Sequence, residues 1–169
     1  MSDLTPEQQF KKMCDEIYKF CSDHNWGDPF NYSRVKEILM ANELGHKVAP
    51  KLSGADAYED SEMTIPVEYK STIGKNIQAT YNGISRQVNW DEQKKYLKEE
   101  KICKYKHHYF AKFDNGKIVE LYKMTGDKVY EYLVPILKKQ FFNENKRKDP
   151  RLGATIPKNF IINNSEKLL

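Results

Sequence analysis

The sequence predicts one α+β domain: a mixed, largely antiparallel sheet flanked by helices. Three observations predict it. Apolar residues recur at helical spacing near the start of the chain (Phe10, Met13, Cys14, Ile17, Tyr18, Cys21) and again in its last third (Val129, Leu133, Ile136, Leu137, Phe141). Between them lie alternating stretches at 65–71, 102–113 and 117–124, the last two joined by Asp114-Asn115-Gly116. A length of 169 residues, 39% hydrophobic and 31% charged, suits one core, and no apolar run is long enough to span a bilayer. No repeat, low-complexity tract or interior linker divides residues 1–169.

Thr5-Pro6-Glu7-Gln8 starts the first helix, with Thr as cap, Pro in the first turn and Gln three residues after the cap. Its apolar stripe is expected to pack on the core or, alternatively, to form a subunit interface. Cys14 and Cys21, two turns apart on that stripe, are expected as buried thiols. Asn25 to Pro29 is a loop. Ser33 caps a second helix that runs to about Leu44, where Gly45 stops it, with Val35, Ile38, Leu39 and Asn42 facing inward. His46 to Leu52 reads as a strand, followed by a hairpin from Asp56 to Lys70. Ser71 to Gln87 is polar and irregular, with a short helix around Ile77. Asn89 or Asp91 caps a charged helix through Glu100.

Ile102 to Phe113 and Lys117 to Met124 pair through Asn115-Gly116, a turn that accepts positive φ at both central positions. A helix follows from Asp127 to about Asn143, and Pro135 is expected to kink or split it. The tail carries a basic loop at 146–151 and a short apolar strand at Phe160-Ile161-Ile162.

The cysteines, Cys14, Cys21 and Cys103, are odd in number and lack metal-ligand spacing, and Met1 to Thr5 has no basic stretch followed by an apolar run. A reducing, cytoplasmic compartment without a membrane is the expectation. A net charge of +4 is compatible with nucleic acid without requiring it. Its distribution says more. Lys138, Lys139, Lys146, Arg147, Lys148, Arg151 and Lys158 crowd the C-terminal part, and Lys101, Lys104 and Lys106 lead into a strand.

The chemistry concentrates in Asp56, Glu68 and Lys70. Along a strand, residues two apart share a face. Ile65, Val67 and Tyr69 would face a core, while Glu68 and Lys70 project together from the other side, and a preceding strand brings Asp56 alongside Glu68. Two carboxylates are hard oxygen ligands for Mg²⁺, a Tyr69 carbonyl completes the shell, and Mn²⁺ can substitute. Lys70 would orient the attacking water and offset charge growing on a phosphate. That set is what phosphodiester hydrolysis needs. Glu37 and Glu43, on the preceding helix, are additional candidate carboxylates. Asp60 and Glu62 are expected to serve the hairpin turn. Glu-x-Lys by itself is also an ordinary surface ion pair; the Asp after Ser53-Gly54 and the apolar alternation around Glu68 are what favour a metal site.

Ser53-Gly54-Ala55-Asp56-Ala57-Tyr58 followed by Val67-Glu68-Tyr69-Lys70-Ser71 resembles the PD-(D/E)xK nuclease core, most closely the PvuII-type restriction endonucleases. His108-Tyr109-Phe110-Ala111 resembles the family's central strand and Ile118 to Met124 its partner. Asp149-Pro150-Arg151 and Ile156-Pro157-Lys158 resemble its tail. The resemblance covers about 31–163, leaving 1–30 as an N-terminal helix and loop that could serve dimerisation. It implies a restriction-endonuclease-like core and a homodimer that cuts both strands of double-stranded DNA at a short palindrome with Mg²⁺, and it admits a cognate DNA methyltransferase acting on the same site. Asp56, Glu68 and Lys70 fall on its catalytic positions, and Asn31 falls near a residue that approaches DNA.

The family's His-rich base reader has no counterpart here. Its region holds Gln78-Ala79-Thr80-Tyr81-Asn82-Gly83, so the target cannot be carried over. Asn and Gln suit adenine and Arg suits guanine, making Gln78, Tyr81, Asn82, Ser85, Arg86 and Gln87 the recognition candidates. Lys146, Arg147, Lys148, Arg151 and Lys158 are the backbone-contact candidates. His107 and His108 are expected as core or edge histidines rather than ligands. The competing readings are a structure-selective repair or recombination nuclease, a non-catalytic nucleic-acid-binding domain, and an RNA binder using some of the 11 tyrosines.

Overall fold

The computed structural model describes residues 4–51, 53–143 and 149–169. Among the described residues, five helices accompany a six-stranded sheet. In chain order the elements are α1 (Pro6–Asp23), α2 (Arg34–Leu44), β1 (Lys47–Val48), β2 (Ala57–Tyr58), β3 (Pro66–Thr72), β4 (Ala79–Ile84), α3 (Trp90–Tyr96), β5 (His107–Asp114), β6 (Lys117–Thr125), α4 (Gly126–Phe141), β7 (Leu152–Ile156), α5 (Lys158–Asn164) and β8 (Glu166–Lys167). A π-helical turn, Leu97–Lys101, extends α3. The sheet order is β1-β2-β3-β5-β6-β8, and β4 and β7 form a separate two-stranded ribbon. Among the described residues only β3 and β5 pair in parallel, so the sheet is mixed and mostly antiparallel.

The β5–β6 hairpin closes through Asn115 and Gly116 at φ 47° and 76°, the geometry that an Asn-Gly turn supplies. Strand β5 is buried on both faces, which fits its central place beside a parallel partner. Tyr109, Ala111 and Phe113 meet Val67 and Tyr69 of β3 and Met40 and Ala41 of α2. Phe110 joins the larger core with Val129, Leu133, Leu137 and Phe141 of α4 and the inward side of the ribbon. Pairing β3 with β5 sets Glu68 opposite His108 and Lys70 opposite Phe110, so the catalytic candidates rise from the α4 face of the sheet.

Several expectations change. The α1 capping box forms as predicted, but the helix does not pack on the core. Phe10 and Ile17 stay 65% and 46% exposed, Cys14 is only half-buried, and Cys21 alone is buried. Helix α2 is rotated from the predicted inner face. Ile38 packs against the core as expected and Met40 and Ala41 point inward beside it, while Val35, Leu39 and Asn42 are exposed, because α2 lies over Val67 and Tyr69 with α1 on its outer side. The strand expected over His46 to Leu52 is Lys47–Val48 only, and Leu52 lies outside the described residues. No helix forms around Ile77. Its buried side chain belongs to the larger core, and β4 follows it.

Helix α4 continues as one helix through Pro135. The proline and Glu131, whose carbonyl loses its partner, are both exposed, so water can satisfy that carbonyl. Phe160-Ile161-Ile162 lies in α5, not in a strand; a short apolar run has no period that distinguishes the two, and Pro157 starts the helix by accepting from the Phe160 and Ile161 N–H groups.

Phe110→Ala, at the fully buried centre of the sheet, should cost about 3–5 kcal/mol of folding free energy in urea titrations. Ile17→Glu on the outer face of α1 should cost less than about 1 kcal/mol in the monomeric chain.

Candidate active site

Three local devices position the site. Asp60 closes the turn before β3 by accepting from the Thr64 and Ile65 N–H groups and the Thr64 hydroxyl, the structural role expected of it. The Asp56 N–H then donates to the Val67 carbonyl (3.2 Å), and the Asp56 carboxylate accepts from the Tyr69 N–H (2.6 Å). The Tyr105 hydroxyl donates to the Gly54 carbonyl and holds the loop that carries Asp56. Two residues further along the Glu68 face, the Lys70 ammonium pairs with the Glu68 carboxylate. The Tyr69 ring takes the opposite face, buried, and its hydroxyl shares a hydrogen bond with His46 Nδ1 (2.7 Å).

Burial pushes the Asp56 carboxyl well above the ordinary carboxylate range. The Glu68 and Glu37 charges push the same way, against the Tyr69 N–H and the Lys70 ammonium. Burial alone would lower Lys70, but the Glu68 charge and hydrogen bond, with Asp56 and Glu37 behind them, leave it above its usual value. Lys70 is therefore an ammonium at neutral pH, suited to stabilising negative charge and not to accepting a proton.

Glu37 shares an α2 face with Met40 and Ala41 and points along it toward Asp56. Ser33 and Arg34 Nη1 (2.9 Å) hold its carboxylate, and Arg34 also donates to the Trp26 (2.7 Å) and Ala49 carbonyls. It shapes the field on Asp56 but is already committed to a cation. Glu43 does not reach the site: it lies on the exposed side of α2, about 120° around the helix from Glu37. A cleft of about 380 Å³ opens beside Asp56, lined by Asn31, Tyr32, Arg34, Glu37 and Lys51 among others.

Among the described residues, no group of three or more His, Cys, Asp or Glu side chains stands at metal-ligand spacing. Asp56 and Glu68 are a two-carboxylate set. That suits Mg²⁺, which keeps most of its waters and binds through one or two carboxylates plus substrate oxygens. Glu68 is matched by the Lys70 ammonium while burial holds Asp56 protonated, and a divalent cation would displace that proton and take both carboxylates.

The recognition candidates divide. Asn82 and Gln78 are exposed on and beside the ribbon, and Asn31 is exposed at the cleft. Tyr81 is not a base reader. Its ring is buried beneath the Lys70 ammonium (5.1 Å to the ring centre), and its hydroxyl is bound to His108. Arg86 is not free to read guanine, because it stacks on Phe141 (4.7 Å) and donates to the Phe141 carbonyl. Ser85 is exposed, and its carbonyl accepts from the Gln87 and Gln93 amides (both 3.3 Å); buried Gln93 also accepts the Gln87 N–H (2.8 Å). That fold-back ties Gln87 into the loop. Arg151 is exposed and doubly bonded to Asp149, and Lys158 is exposed at the start of α5. Lys146, Arg147 and Lys148 lie outside the described residues.

Neither β5 histidine joins the carboxylates. His107 pairs with Glu59. His108 is fully buried, its Nε2 donating to the Ile102 carbonyl (3.0 Å), which leaves Nδ1 to accept from the Tyr81 hydroxyl (2.8 Å). Sequence reading missed Tyr105, Gln93 and Gln140, whose roles depend on loops brought near them from elsewhere in the chain. No family model matches the chain, and no curated protein matches it. No described helix is long and apolar enough to cross a membrane.

Burial lowers His108 to about 4, from an unfolded value near 6.5. The neutral ring therefore contributes its full stability above about 6.5 and loses it as pH falls toward 4, on the order of 3 kcal/mol in total. Asp56 acts in the opposite sense, its raised value making ionisation costly to the fold, so the His108 contribution must be isolated by difference. His108→Gln keeps a donor and an acceptor but does not titrate. Urea midpoints measured across that window should fall more steeply for the wild type than for the variant, whereas parallel curves would contradict this.

Proposed function

We propose that this chain is a Mg²⁺-dependent endonuclease for double-stranded DNA, a type II restriction enzyme on a restriction-endonuclease-like, PD-(D/E)xK core, working as a homodimer at a short palindrome. The observation that carries the reading is the convergence of Asp56, Glu68 and a protonated Lys70 beside an open cleft. Mn²⁺ can replace Mg²⁺.

Asp56 and Glu68 would hold the metal, with the Tyr69 carbonyl as a further oxygen. When bound, the metal supplies charge neutralisation and an acidified water. The protein's own groups do the remaining work. Lys70 stands over the phosphate as it gains charge and orients the attacking water with its N–H donors. Tyr81, under Lys70 and fixed by neutral His108, holds the ammonium in place. Glu37 adds negative potential that keeps Lys70 charged. Arg151 and Lys158, with Lys146, Arg147 and Lys148, supply cations for the DNA backbone.

The exposed apolar side of α1, continued on α2 by Val35 and Leu39, is a patch that a second copy of the chain would cover. Dimerisation there would put two sites on one duplex, matching two-fold DNA symmetry.

Plasmid DNA incubated with protein and Mg²⁺ should give discrete linear fragments whose sequenced ends define one site. Random degradation would remove the restriction reading, preference for branched substrates would favour a repair nuclease, and no cutting with Mg²⁺ or Mn²⁺ would remove the nuclease altogether. Lys70→Ala should cut about 10²–10³-fold more slowly while binding duplex nearly as well as the wild type; binding that weakens as much as the rate would contradict the role given to Lys70. Ile17→Glu should sediment as a monomer where the wild type sediments as a dimer.

A further inference from the structure

The β4–β7 ribbon contains an irregularity with a specific consequence. Its register runs Thr80 opposite Thr155 and Tyr81 opposite Ala154, then resumes with Ile84 opposite Leu152, so Asn82 and Gly83 together face Gly153 alone. This is a β-bulge, a feature that re-aims side chains and is frequent beside active sites. Gly83 takes the left-handed conformation within it, at φ 69°.

The bulge displaces Gly153 from the regular ladder, and the Gln140 side chain of α4 takes both of its polar groups. The Gln140 amide donates to the Gly153 carbonyl (2.6 Å) and accepts from the Gly153 N–H (3.1 Å). One side-chain amide thus stands in for a strand partner and fixes the ribbon to the helix at the bulge. A side chain at position 153 would not fit, since its Cβ would lie 2.7 Å from Asn82 Oδ1 and 3.0 Å from the Tyr81 carbonyl. The Asn82 amide therefore lies over bare backbone on the outer face, exposed, and among the described residues nothing hydrogen-bonds it.

On the same face stand Thr80 and Thr155, exposed, their hydroxyls bonded to each other at 3.0 Å. On the inner face Tyr81 fastens the ribbon beneath Lys70. A two-stranded ribbon fits the major groove. There an Asn amide matches the N6–H donor and N7 acceptor of adenine, and a Thr methyl packs against thymine.

We propose that Asn82 reads an adenine in the target duplex, within an A·T-containing step flanked by Thr80 and Thr155, and that Gln140 is the positioning residue that aims it. This rests on the nuclease reading above and adds to it the base composition of the target and a residue remote from the reacting atoms. Because adenine N6 carries the contact, methylation of that nitrogen would exclude the target.

The test is a randomised duplex library digested with Mg²⁺, its cut ends sequenced, for the wild type, Asn82→Ala and Gln140→Leu, with thermal unfolding followed in parallel. The wild-type site should contain an A·T pair at one position that becomes degenerate in both variants, with the preference there falling about 10-fold or more, while unfolding shifts by only a few degrees. N6-methyladenine at that position should block the wild type and leave Asn82→Ala indifferent. A wild-type site without A·T pairs, unchanged preference in Asn82→Ala, or unchanged preference in Gln140→Leu would overturn the inference while cutting itself upholds the nuclease. Absence of any cutting in the wild type would overturn both.

Discussion

Two carboxylates share one ammonium at the junction of β2 and β3, and most of the fold serves to keep them there. Asp56 is held by the Tyr69 N–H and Glu68 by Lys70, and burial, with the Glu68 and Glu37 charges behind it, makes Asp56 resist ionisation. A fold selected for stability alone would not bury a carboxyl beside an ion pair this way, since holding it protonated so far above its ordinary range is costly. Such frustration is a common mark of functional sites. On the proposed reading, it is a site prepared for a positive ligand and a negative substrate.

The surrounding structure transmits this constraint outward. The parallel pairing of β3 with β5 sets Glu68 beside His108, and His108 binds Tyr81, whose ring supports Lys70. Tyr81 is also the inward neighbour of Asn82. The strand that lies under Lys70 on one face thus presents a polar amide on the other. Gln140 locks the partner strand β7 to α4, and Gln93 locks the loop that follows β4. Through this chain of contacts, the surface proposed to meet bases is linked to the groups proposed to meet phosphate.

Much of this was legible in the sequence where the signal is local. The Thr5 cap, the Asn115-Gly116 turn and the alternation around Glu68 each act within a few residues, and each formed as expected. The convergence of Asp56, Glu68 and Lys70 was readable because one hairpin joins them. What was not legible depended on distant partners. The face that α2 buries was misjudged because Val35 and Leu39 belong to an outer apolar patch shared with α1, not to the core. Strand β4 looked irregular because its outward residues are polar and its inward ones include the small Ala79 and the bulge. Tyr81 and Arg86 looked like readers because their composition suits DNA, but His108 and Phe141 claim them from elsewhere in the chain.

The most direct measurement of the central claim is the thermal unfolding midpoint with and without Mg²⁺ or Mn²⁺, for the wild type and Asp56→Asn, at neutral pH. A ligand that binds only the folded state raises the midpoint. The wild type should be stabilised by the divalent ion, and proton release should accompany binding as Asp56 ionises. Asp56→Asn should start from a higher midpoint, relieved of a carboxyl that the fold must keep protonated at neutral pH, and show little response to metal. A wild type indifferent to both ions, or a variant that responds equally, would contradict a divalent-metal site built on Asp56 and Glu68.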